Sequence, residues 1–151
     1  MKKQIMIVDD DPTSVAIVKA MLVEEYDVVT NASGLQAMGH LKKNDPPNLI
    51  LLDIVMPGTD GMEVLKYLKS NAKLAEIPVI FITSMNRPEI QLEGYISGVD
   101  DFIQKPVHEK LLKMKVARQL YIYELKQENK RLKQQTQMIK MRIDQVFDMF
   151  M

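Results

Sequence analysis

Apolar residues are distributed along the chain in two alternating patterns. Residues 4–8, 49–52 and 79–82 form short apolar runs, the last β-branched and aromatic throughout. Runs of this length suit strands buried on both faces of a parallel sheet. Residues 27–30 and 101–104 are weaker strand candidates between and after them. The intervening stretches, near 13–25, 34–43, 60–70 and 87–97, place apolar residues at helical spacing. Thr13 or Ser14 is positioned to cap the first helix, Ser33 the second, and Thr59 or Asp60 the third. Five strands alternating with helices predict an α/β fold with right-handed crossovers. No internal repeat or low-complexity linker interrupts it.

The last 45 or so residues follow a different rule. From Leu111 onward there is neither Gly nor Pro, so one continuous helix is allowed. With Leu111, Arg118, Leu125, Leu132, Ile139 and Val146 at heptad position d, position a holds Lys115, Ile122, Asn129, Thr136, Ile143 and Phe150. Eight of these twelve residues are apolar and the spacing never breaks. Forty residues make a rod of about 60 Å. Its stripe is too long for a domain this small to cover, which predicts a coiled-coil partner.

Asn129 at an a position is a device that fixes register and favours a parallel dimer. Lys126, Lys133 and Lys140 fall at e and Glu128 at g. Parallel pairing brings Glu128 to Lys133 of the other helix, whereas antiparallel pairing sets e-position lysines against each other. The expected dimer seam is Ile122, Leu125, Asn129, Leu132, Ile139, Ile143 and Val146. Lys115 and Arg118 interrupt its start, so the first turns are expected to pack on their own domain or to splay.

Composition sharpens this division. The 151 residues carry 20 Lys+Arg and 20 Asp+Glu, a net charge of zero. Residues 1–104 hold 9 basic and 15 acidic side chains, a net of −6, and residues 105–151 hold 11 and 5, a net of +6. The chain reads as an acidic body with a basic tail. The absence of Cys excludes disulfides, thiolate metal sites and cysteine nucleophiles. The first apolar run is too short for a signal peptide or membrane span, so a cytoplasmic protein without membrane contact is expected.

Candidate chemistry lies where each apolar run ends, because open parallel sheets bind ligands beyond the carboxyl ends of their strands. Asp9, Asp10 and Asp11 follow the first run, Asp53 the third, Thr83 and Ser84 the fourth, and Lys105-Pro106 the fifth. Clustered carboxylates repel one another unless a cation sits among them. Oxygen donors without His or Cys suit a hard ion such as Mg²⁺. A carboxylate facing a Lys and a Thr is equipped for phosphoryl transfer, with aspartate as the nucleophile. His40 and His108 have no partners at ligand spacing and read as surface residues. The twelve Met residues read as core and seam.

Four stretches carry a family resemblance: Ile7-Val8-Asp9-Asp10-Asp11-Pro12, Leu51-Leu52-Asp53-Ile54-Val55-Met56-Pro57-Gly58-Thr59-Asp60-Gly61, Ile82-Thr83-Ser84, and Gly98-Val99-Asp100-Asp101-Phe102-Ile103-Gln104-Lys105-Pro106. In order and spacing, over residues 3–123, they resemble the receiver domain of two-component response regulators. The resemblance implies a flavodoxin-like, doubly wound five-stranded parallel sheet, with residues 124–151 as a coiled-coil signalling helix continuous with the last receiver helix. It implies that Asp53 accepts a phosphoryl group from a sensor histidine kinase or phosphotransfer protein. Asp10 would bind Mg²⁺ directly and Asp9 mainly through water, with Asp53 and the Val55 carbonyl completing the ligands. Lys105 would pair with the phosphoryl oxygens, the Lys105-Pro106 bond would be cis, and Thr83 and Phe102 would form the switch. Val55 and Met85 stand where relatives often carry polar groups near the attacking water, so slow autodephosphorylation is expected.

The chain is thus expected to be a phosphoacceptor that catalyses its own phosphorylation, with no output enzyme visible. Its seam still runs at Phe150-Met151, which suggests a fragment or a following effector domain. Receivers joined to a coiled coil resemble those feeding cyclic-dinucleotide enzymes or other dimeric effectors. Two rivals remain. One is a haloacid-dehalogenase-type phosphatase with Asp9 as nucleophile and Asp11 as acid/base, a reading that leaves the Asp53 loop unexplained. The other makes the basic tail a DNA-binding region, but only Lys130-Arg131 are adjacent and no dense basic block precedes the heptads.

Overall fold

The computed structural model describes residues 1–85 and 87–151. Five strands, β1 (Gln4–Val8), β2 (Asp27–Asn31), β3 (Leu49–Asp53), β4 (Val79–Thr83) and β5 (Asp101–Gln104), form one parallel sheet in the order β2-β1-β3-β4-β5. They alternate with α1 (Pro12–Leu22), α2 (Gly34–Lys43), α3 (Gly61–Ser70), α4 (Pro88–Ile96) and α5 (Glu109–Phe150). This is the doubly wound α/β sheet that the alternation predicts.

Strand periodicity divides the core between the two faces of the sheet. Met6, Val8, Ile50, Leu52, Val79 and Phe81 pack with α2 and α3 through Ala37, Leu41, Val64, Leu65 and Leu68. Their neighbours Ile5, Ile7, Leu49, Leu51, Ile80 and Ile82 pack on the opposite face with Val18 and Leu22 of α1 and Leu112, Val116 and Leu120 of α5. Both faces are covered, so β1, β3 and β4 read as continuous apolar runs instead of alternating ones. Each fully buried Leu or Ile contributes about 1.5–3 kcal/mol.

Helix caps agree with the sequence reading at α2 and α3, where Ser33 accepts from the Gln36 N–H and Asp60 from the Glu63 N–H. They differ at α1. The cap there is Asp11, whose Oδ1 accepts from the Thr13 N–H at 3.0 Å, and Pro12 opens the helix. Asp11 outcompetes Thr13 and Ser14 because proline suits the first helical position, moving the start one residue earlier. α1 also ends at Leu22, not 25, and α4 is one residue shorter at each end than its periodicity suggests.

The chain divides into two compact units, Met1–Leu120 and Tyr121–Met151. Within the first, α5 buries Leu112, Val116, Gln119 and Leu120. The residues predicted for the heptad seam on these turns, Leu111, Lys115 and Arg118, lie on a neighbouring face of the helix. The second unit is helical up to Phe150. Among the described residues no helix is long and apolar enough to cross a membrane.

Candidate functional site

The sheet register assembles the site. Val8 pairs with Leu52, so the residues that follow them, Asp9 and Asp53, stand at one level on adjacent strands. Asp53 pairs with Ile82, which sets Thr83 one step further along β4. Thr83 pairs with Gln104, and Lys105 follows directly. The strand order reverses between β1 and β3, the position where such sheets open a crevice. Asp9, Asp53, Thr83 and Lys105 therefore meet at one edge although they are far apart in the chain.

Hydrogen bonds fix the orientation of each carboxylate. Asp9 Oδ1 accepts from the Asp11 N–H at 2.9 Å, and Oδ2 from Lys105 Nζ at 3.0 Å. Asp53 Oδ1 accepts from the Val55 N–H at 3.3 Å, and Oδ2 from the same Lys105 Nζ at 3.3 Å. One ammonium thus bridges two carboxylates, both over nine-tenths buried, while Asp10 is exposed. Carboxylate oxygens of Asp9, Asp10 and Asp53 all lie within 4.8 Å of one another, an acidic cluster able to hold a metal. Three negative charges against one positive leave a deficit of two, matching a divalent cation. Donors that are all oxygen match a hard one.

Electrostatics agree with this geometry. Burial pushes the Asp53 carboxyl above the usual carboxylate range; the Lys105 charge pulls it back and the Asp9 charge pushes it further up. Burial works against the Lys105 ammonium, but its hydrogen bond to Asp9 and the charges of Asp53 and Asp9 outweigh this and hold its pKa above the ordinary value. Asp11 stands apart from the cluster. The Ser14 hydroxyl and the Thr13 N–H hold its carboxyl below the usual range, as befits a helix cap.

The loops beside the site are shaped by two further features. The Gly61 N–H donates to Ile54 O at 2.9 Å and closes the turn after β3. A Cβ on Gly61 would lie 2.2 Å from Asp53 O, so only glycine fits there. Thr83 is buried, and its Oγ1 accepts from the Met85 N–H at 3.1 Å. Val55 is 56% exposed at the mouth and Met85 is half-buried. The Lys105-Pro106 peptide bond is cis.

Phe102 lies half-buried on β5 between two rings, 5.4 Å from Phe81 and 5.1 Å from Tyr95 by centroid. Its backbone is held by a residue that sequence reasoning assigned only to the heptad. Lys115 Nζ donates to Phe102 O at 2.7 Å and to Asp101 Oδ1 at 3.2 Å. β5 is an edge strand, and Lys115 satisfies one of its outward carbonyls. Asp100 was likewise missed as a tether: its Oδ2 accepts from the Val79 N–H at 2.8 Å. Neither role has a sequence signal, because the first depends on how α5 packs beside β5 and the second on the pairing of β4 with β5.

A sheet of this order, with an acidic cluster, a hydroxyl and an ammonium at its switch point, defines a doubly wound α/β protein with its polar site in the crevice between β1 and β3. The chain belongs to the response regulator receiver domain family, whose model matches residues 5–117. It is 40% identical over 112 residues to a probable cyclic di-GMP phosphodiesterase of Vibrio cholerae, covering 74% of this chain and 25% of that protein. It is 34% identical over 109 residues to protein PilH of Pseudomonas aeruginosa, covering 72% of this chain and 90% of that one. The signal receiver domain of a histidine kinase from Syntrophus aciditrophicus superposes with a TM-score of 0.73 at 34% identity, over 79% of this chain and 90% of that domain. The chain is a receiver domain of two-component signalling. The chain spans a quarter of the length of the phosphodiesterase relative. The phosphatase reading loses its acid/base, since Asp11 is committed to capping α1.

Proposed function

We propose that residues 3–123 receive a phosphoryl group on Asp53 from a phosphohistidine of a sensor kinase or phosphotransfer protein. The observation that carries this reading is the bridge from Lys105 Nζ to Asp53 and Asp9, beside a carboxylate cluster of matching charge deficit. Asp9, Asp10 and Asp53, with the Val55 carbonyl, would hold Mg²⁺, which when bound neutralises phosphoryl oxygens. An Asp53 oxygen attacks phosphorus, the P–N bond to the donor imidazole breaks, and the imidazole nitrogen keeps the bonding pair. Lys105 pairs with a phosphoryl oxygen and the Thr83 hydroxyl donates to another. The buried setting that raises the Asp53 pKa keeps water away from its carboxylate.

Thr83 and Phe102 form the switch in this reading. The hydroxyl leaves the Met85 N–H for the phosphoryl group, and the ring of Phe102 follows it inward. Lys115, bonded to the Phe102 carbonyl, links that strand to α5. Residues 124–151, with Ile122 just before them, form a parallel homodimeric coiled coil through Ile122, Leu125, Asn129, Leu132, Ile139, Ile143 and Val146, most of them exposed in the single chain. Glu128 is held by Arg131 of its own helix. That exposed pair is worth little, so Asn129 carries the preference for parallel pairing. The similarity to part of a probable cyclic di-GMP phosphodiesterase supports an output domain of that kind in a longer protein.

The test is transfer from a small acyl phosphate to the purified chain. Label that needs Mg²⁺, disappears with chelator and is absent from Asp53→Asn supports the assignment. Label on Asp53→Asn overturns it.

A further inference from the structure

The final two turns of α5 carry apolar residues outside the two-stranded seam. Residues 122–136 keep charge or amide at every flanking position: Lys126 and Lys133 at e, Glu128 and Gln135 at g. That pattern stops one helix pair from recruiting another. Lys140 at e and Arg142 at g continue it, and only after them do the flanks change character. Phe147 falls at e and Met149 at g, with Met138 at c and Met151 at b. These four are 63%, 81%, 58% and 92% exposed. A parallel dimer covers positions a and d, so Val146 and Phe150 are hidden by it while Phe147 and Met149 stay in water. Apolar e and g residues let each helix contact two neighbours, which raises the number of strands that pack together.

Charge identifies the occupant of this flank. Within the same segment Lys140 and Arg142 come first and Asp144 and Asp148 follow, for a local net charge of zero. Such a segment is complementary to a reversed copy of itself. An antiparallel overlap centred near Ile143 brings Arg142 towards Asp144 of the opposing helix, and Met138 towards its Phe147. It also opposes the helix dipoles, and one twofold axis closes the contact without leaving a free patch. We infer that residues 138–151 are an interface at which two parallel dimers of this chain join antiparallel into a four-helix, tetrameric assembly. The inference rests on the dimer reading above, and the outcomes below separate the two.

The experiment is light scattering on the full chain across a concentration series, alongside Phe147→Glu combined with Met149→Gln. In a parallel dimer the carboxylate introduced by Phe147→Glu falls opposite Arg142 of the neighbouring helix, so this variant keeps the dimer while removing the flank. The wild type is expected to reach four times the 17.4 kDa chain mass and the double variant to stop at twice that mass. Circular dichroism should show equal helix content in both. A wild type that stays at twice the chain mass overturns the tetramer and leaves the dimer standing. A wild type at the single-chain mass overturns both. A double variant that remains tetrameric overturns the assignment of the flank.

Discussion

Lys105 Nζ lies 3.3 Å from Oδ2 of Asp53, reaching past the end of β4 from the loop after β5 to the carboxylate on β3. This ammonium already offsets one of the three carboxylate charges, leaving the two that a divalent cation would neutralise. Lysine and metal therefore compete for the same carboxylates. Lys105→Met is expected to tighten Mg²⁺ binding by at least about fivefold, since a like charge a few ångströms away costs more than 1 kcal/mol even when well screened. Calorimetric titration measures this directly, and unchanged or weaker affinity would contradict it.

Burial raises the Asp53 pKa in the folded chain. A raised carboxyl favours folding while it is protonated, and that contribution is lost as the pH climbs through the folded-state value. Metal-free protein should thus lose stability between acid and neutral pH through this residue. Asp53→Asn removes that loss and should raise the thermal midpoint at pH 7 by about 3 °C, with the gain shrinking at acid pH. A midpoint lower than wild type at neutral pH would show that the Lys105 bridge outweighs burial.

Much of this architecture can be read from the sequence. The apolar runs locate β1, β3 and β4, the weaker candidates at 27–30 and 101–104 supply β2 and β5, and Asp9, Asp10, Asp53, Thr83 and Lys105 stand out because each follows one of these stretches. The strand ends were less visible. β2, β3 and β4 extend to Asn31, Asp53 and Thr83, buried polar residues that continue the ladder without adding to the apolar run. The triple aspartate was ambiguous, since nothing in its spacing separates a helix cap from an acid/base group. Only the hydrogen bonds of Asp11 to Thr13 and Ser14 divide it from Asp9 and Asp10. The Lys115 tether escaped notice because its partners lie across a strand edge that the heptad pattern does not encode.

Val55 and Met85, two residues beyond Asp53 and Thr83, are apolar and can neither orient nor deprotonate water. The acyl phosphate is expected to last hours rather than seconds. Val55→Glu should shorten its lifetime at least about tenfold by supplying a carboxylate that positions the attacking water. Radiolabel decay complete within a minute in the wild type would contradict the account.

Gly94 on α4 forms the seat of the Phe102 ring. A Cβ there would lie 2.7 Å from Phe102 Cζ and 3.2 Å from Phe81 Cε2, in the middle of the aromatic cluster. Gly94→Ala should therefore destabilise the fold by about 1–3 kcal/mol through overpacking, despite the better helix propensity of Ala. Adding Phe102→Leu should recover part of that loss. Urea unfolding of the two single variants and the double measures the coupling, and strict additivity would place the ring elsewhere.

The proposed function requires that Asp53, and not another carboxylate of the cluster, takes the phosphoryl group. Peptide mass spectrometry after incubation with acetyl phosphate and Mg²⁺ tests it most directly. One phosphoryl group per chain is expected, on the peptide that contains Asp53. A phosphoryl group on the peptide that contains Asp9, Asp10 and Asp11 would contradict it.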